Sequence, residues 1–175
     1  MSLTSLKKTM AQMDAEQLRS LVAELYQARP EAKEYLDFFV LPDIDKRLDK
    51  TKTAIRKELM RTSRGHNRGR STRVRRFIKD ISSLNPGTEH VVEIMTYAVE
   101  TAAEVGSSDH VKDTTQHAVA RLLGETVRLA DAAGQLDLCV GRLRKAIEAM
   151  SRRVWYSRQY RELLQSALDD AIDSL

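Results

Sequence analysis

The sequence predicts an all-α protein of stacked antiparallel helix hairpins, a helical bundle or a short α-solenoid-like array. Three observations carry that expectation. Apolar residues recur at three- and four-residue spacing along nearly the whole 175-residue chain. Glycine and proline are scarce, at 7 and 3, and fall mostly between the periodic segments. No segment alternates apolar and polar residues, with β-branched enrichment, for long enough to make a strand.

The elements follow in order. Thr4 can cap a short helix carrying Leu6 and Met10. Asp14 with Gln17 has the spacing of a capping box and starts a second helix, with Leu18, Leu21, Val22 and Leu25 on its apolar face. That helix ends near Arg29, because the residue before Pro30 disfavours the helical region. Pro30 suits the first turn of a third helix, with Tyr35, Leu36 and Phe39. Leu41-Pro42-Asp43 breaks it, and a fourth helix to about Arg61 carries Ile44, Leu48, Ile55 and Leu59. Residues 62–70 hold two glycines, an asparagine and no apolar side chain, so they read as a loop.

After this loop, Ser71 or Thr72 can cap a helix whose stripe is Val74, Phe77, Ile78, Ile81 and Leu84. Asn85-Pro86-Gly87 is a turn, and Thr88 caps a helix to about Val105. Glu89, Glu93, Glu100 and Glu104 share that helix's outer face at the 3.6-residue period. Gly106-Ser107-Ser108 reads as a break before a long helix from Asp109 to about Ala133, closed by Gly134. Two more helices follow, one through Leu136 to Met150 and one from Val154 to Ile172. Short connections after residue 84 make sequential helices antiparallel neighbours. The expected division is an N-terminal helical arm, 1–62, and a main helical-hairpin domain, 63–175, with one continuous domain as the alternative.

With 31% charged and 42% hydrophobic residues, the chain is a folded soluble protein rather than a disordered one. No apolar run reaches the roughly 20 residues that span a bilayer, and the first residues lack the apolar core of a signal peptide. The one cysteine, Cys139, excludes an internal disulfide framework. These features point to a reducing cytoplasm, and no cofactor is expected.

The net charge of +4 is unevenly spread. Residues 52–79 hold 11 Lys/Arg against one acid, Glu58, whereas residues 80–141 hold 3 against 10. Arginines at 64, 68, 70 and 73 sit where a glycine-containing backbone can wrap a phosphate chain. Each guanidinium can donate two bonds to one phosphate. Nucleic acid bound this way would be read through its backbone charge and would be sensitive to salt. The plainer alternative pairs the helical cations Arg75, Arg76 and Lys79 with the glutamates of the next helix. It accounts less well for the loop arginines.

His110, Asp113 and His117, at spacings of three and four, form a weak candidate for a transition-metal site on one helix face. Two turns separate the histidines, about 10.5 Å, too far for both to ligate one ion comfortably. Cys139, at a core position, reads as an inert thiol. Trp155, Tyr156 and Tyr160 read as the core anchor of the last helix, or as a contact surface beside Arg152 and Arg153. No phosphate loop, nucleophile elbow, zincin helix or paired-carboxylate signature is present, so no catalytic residue is nominated and the reading leans away from an enzyme.

Asp14 to Leu18, Leu25-Tyr26 and Glu31 to Leu36 resemble the opening of a family of bacterial all-helical proteins of unknown function. The later order is similar too: Arg64-Gly65, Gly69-Arg70, Arg76 to Lys79, Tyr97 to Glu100, and a tryptophan at Trp155. The chain departs from that pattern at Val154 and Tyr156, where glycines flank the tryptophan, and at Ser107 to Asp109, where Asp-Ile follows the glycine. The resemblance implies the order of helices and adds no catalytic residue. The function expected is a non-catalytic helical module for protein partners or self-association. Phosphate-backbone binding through the arginine loop is the alternative, and a metal-dependent helical enzyme comes third.

Overall fold

The computed structural model of the protein describes residues 2–60 and 69–175. Among these residues there are nine α-helices and no strand: α1 Leu3–Met10, α2 Ala15–Ala28, α3 Pro30–Val40, α4 Ile44–Leu59, α5 Ser71–Ser82, α6 Thr88–Ser108, α7 Asp113–Ala132, α8 Leu136–Glu148 and α9 Trp155–Asp173. The chain divides into two compact units, Met1–Asp43 and Ile44–Leu175. The division expected at 62–63 lies outside the described residues, and α4 belongs to the larger unit.

Local chemistry places most boundaries where the sequence puts them. Asp14 Oδ1 accepts from the backbone N–H groups of Glu16 and Gln17 at 2.9 and 2.8 Å, while Gln17 Oε1 accepts from Asp14 N–H at 3.1 Å. That is the reciprocal capping box, and it starts α2. Pro30 occupies the first turn of α3, where its missing N–H has no helical partner to lose. Gly134, with φ +68°, ends α7, and the N–H of Gln135 reaches back to the Ala130 carbonyl at 2.8 Å.

In the larger unit α6 is the hub, packed against α4, α5, α7, α8 and α9. It is buried on nearly every side, and its small residues Ala98, Ala102, Ala103 and Gly106 let neighbours approach closely. With its Val99, the surrounding Ile55, Leu123, Val127, Leu143, Ile147, Leu164 and Leu168 form one continuous core. A hub touching five helices describes a bundle rather than an open repeat array.

Several sequence expectations change here. Ser2 rather than Thr4 caps α1, and α5 and α6 start after Arg70 and Gly87 with no side-chain cap from Ser71, Thr72 or Thr88. Gly106-Ser107-Ser108 continues α6 instead of breaking it, because Gly106 lies flat against the Tyr160 ring of α9. The chain turns at 109–112 instead, so α7 begins at Asp113 and His110 precedes it. The core anchor of α9 is Tyr160, 1% exposed, while Trp155 stands 64% exposed.

Candidate functional site

The N-terminal unit is built from amphipathic helices, yet none of its described residues is buried. α2 and α3 pack as a helix hairpin. Between them runs a groove of about 910 Å³, with apolar walls from Leu18, Val22 and Tyr26 on α2 and Leu36, Val40 and Leu41 at the end of α3. Phe39, Val40 and Leu41 are 72, 69 and 77% exposed. An ordinary soluble surface carries apolar side chains singly, whereas a contiguous apolar patch marks a contact surface.

Polar groups sit sparsely in the groove. The Tyr26 hydroxyl donates to Asp37 Oδ1 at 2.8 Å and joins the two helices; this bond to the carboxylate raises the phenol's pKa. Arg19 also lines the groove and makes no ion pair among the described residues.

The arginine-rich segment has a different surrounding from the one expected. Arg64 and Arg68 lie outside the described residues. Arg70 and Arg73 are not open cations: each sends Nη1 to a separate oxygen of Glu58 at 3.2 Å. Glu58 is 6% exposed, on the buried face of α4. Burial pushes its carboxyl up, and the two guanidiniums more than reverse this, leaving it below the usual carboxylate range. Arg70 N–H also donates to the Glu58 carbonyl at 3.2 Å, and Thr115 Oγ1 donates to the Gly69 carbonyl at 3.0 Å. The exit of the segment is thus tied to α4 and α7.

Three of the four glutamates on the outer face of α6 are paired by helices other than α5, while Glu89 lies 3.7 Å from His90 of its own helix. Arg56 on α4 makes a two-pronged contact with Glu104 at 2.8 and 2.9 Å, and Lys52 meets Glu93 at 2.8 Å. Arg142 on α8 grips Glu100 at 2.7 and 2.8 Å and also bonds Glu93. Its hydrogen bonds, that to Glu100 foremost, outweigh partial burial and hold the guanidinium pKa above its ordinary value. Arg75 turns to Glu125 on α7 at 2.8 and 3.0 Å. Arg76 and Lys79 are exposed and make no ion pair among the described residues.

His110, Asp113 and His117 do not share a helix face. His110 sits in the 109–112 turn with its ring 6.0 Å from Trp155 and 5.8 Å from Tyr156. Among the described residues no three His, Cys, Asp or Glu side chains are grouped to hold a metal ion. Cys139 is buried against Thr96 at 3.5 Å, and burial raises its thiol pKa. No helix of the described residues is long and apolar enough to cross a membrane.

Sequence reasoning placed Leu18, Val22 and Leu36 on apolar helix faces but did not single out Val40, Arg19 or Asp37. The overlooked clue was the shortage of apolar partners for those faces within 43 residues. Glu58 was also legible, since it is the one acid among 11 cations and falls in register with Leu48 and Ile55.

The sequence model of a family of unknown function (DUF6155) matches residues 1–162. No curated protein and no solved structure matches the chain.

Proposed function

The chain belongs to this family of unknown function, and from its own geometry we propose that it is a non-catalytic helical association module whose contact element is the α2–α3 hairpin. One observation carries the reading: three helices with apolar faces and no buried residue. A unit of about 40 residues rarely supplies enough core to hold itself together. Its apolar groove fits the helix-in-groove mode of protein recognition, with Val22 and Val40 as central contacts. The ion-paired unit of residues 44–175 is the folded body that carries this element. A photoreactive side chain at Val22 tests the reading in cells. Cross-links to a second polypeptide support it; no adduct, or adducts within the same chain only, would overturn it.

A second reading keeps phosphate-backbone binding through Arg64 and Arg68, favoured by the open cations Arg76 and Lys79. Arg70 and Arg73 contribute less, since both are held by Glu58. Affinity for short RNA or DNA that falls steeply with salt and drops on changing Arg64, Arg68 and Arg76 to alanine supports it. No binding at low salt removes it.

A further inference from the structure

We infer that the occupant of the α2–α3 groove is a second copy of the same hairpin, so that two chains build an antiparallel four-helix bundle. This rests on the association reading above and adds the identity of the partner.

An antiparallel helix hairpin is half of such a bundle. A two-fold axis parallel to the helices places α2 of one copy beside α3 of the other, on both sides at once. The groove charges suit that symmetry. Arg19 lies near the start of α2 and Asp37 near the end of α3, so both stand at the open end of the hairpin. The axis brings Arg19 of each copy to Asp37 of the other, two reciprocal pairs from one cation and one anion. Within its own chain Arg19 makes no ion pair among the described residues.

The groove also offers apolar area. Val22, Tyr26, Val40 and Leu41 line it and are exposed. Together they present on the order of 400 Å², about half of the ~800 Å² each partner buries in a stable interface. With α2 at 14 residues and α3 at 11, the hairpin offers about three turns for interdigitating side chains.

The test is sedimentation of the full chain. A dimer is expected at micromolar concentration, and its dissociation constant should rise at least 100-fold with V22D and V40D combined. Circular dichroism of the variant reports whether residues 44–175 keep their fold. The charge pairs give a second arm that leaves the apolar side chains unchanged; D37R also removes the Tyr26 hydrogen bond within the hairpin, so circular dichroism is read for it as well. R19D and D37R should each weaken self-association about tenfold, since both reciprocal pairs become like-charged. Mixed in equal amounts they should form a heterodimer, because one pair then has its native sign and the other is restored with reversed sign. A wild-type chain that stays monomeric at about 100 μM overturns the inference. So does a dimer indifferent to V22D with V40D, or a mixture of R19D and D37R that fails to pair. If the chain is monomeric yet Val22 cross-links to another protein in cells, the second copy is wrong and the association reading stands. If Val22 cross-links only within its own chain, both fall.

Discussion

Replacing Gly106 with alanine sets two effects against each other at one atom. In a helix interior glycine is about 1 kcal/mol less favourable than alanine, so the exchange ordinarily stabilises. At Gly106 a Cβ would come within 2.6 Å of Tyr160 Cε1, closer still to Cδ1, and 3.3 Å from Met150 Cε. The ring is 1% exposed and part of the packed core. Overpacking costs about 1–3 kcal/mol, and contacts this close fall at the upper end, about 2–3, so after the gain of about 1 kcal/mol G106A should be destabilised by a net of about 1–2 kcal/mol. Gly124 and Gly141 are controls on the same exchange. A Cβ on Gly124 meets Arg128 Nη1 at 3.7 Å and Ala171 Cβ at 3.9 Å, and one on Gly141 meets nothing within 4 Å. G124A and G141A should therefore each gain up to about 1 kcal/mol. Urea denaturation followed by circular dichroism measures all three. In a Tyr160→Ala background the sign at Gly106 should reverse, because the obstructing ring is gone. A G106A protein as stable as the parent, or no reversal, would refute the packing argument.

Other outcomes follow from the ion pairs and the thiol. Because Glu58's folded pKa is depressed, its stabilisation is fully present above the unfolded value of about 4.3 and is lost as pH falls through the folded value. Glu58→Gln should cost about 1–2 kcal/mol between pH 5 and 8, with the gap to wild type closing below about pH 4; a gap independent of pH would contradict the pairing. Arg142→Met strips the shared cation from Glu93 and Glu100, each about 30% exposed. It should cost about 1–2 kcal/mol, between the surface and buried limits, and less in 1 M salt. Cys139 should resist a thiol reagent at pH 8 in the folded protein and react at once in denaturant, since burial raises its pKa and blocks access.

The helices were readable because period and breakers agree at most boundaries, although of the expected N-caps only Asp14 caps its helix. Asp14 with Gln17, Pro30 and Gly134 each act in the structure as their local chemistry predicts. The reading failed at Gly106, where a glycine accommodates a distant ring rather than ending a helix, and period alone cannot tell these apart. His110 was misplaced for the same reason, since moving the helix start to Asp113 removes it from α7. Charge pairing was foreseen in kind but not in partner. The glutamates of α6 and the cations of α5 are adjacent in sequence, yet α4 and α8 lie beside those glutamates in space. The groove stayed hidden because an apolar stripe looks the same in sequence whether or not a neighbour covers it.

The most direct test of the association reading is the peptide map of the adduct formed by a photoreactive side chain at Val22 in the purified full chain. A second copy predicts adducts between two chains, joined within residues 1–43 of the other molecule and centred on α3. Adducts confined to residues 44–175 of the same chain would show the apolar face to be covered from within, and would contradict it.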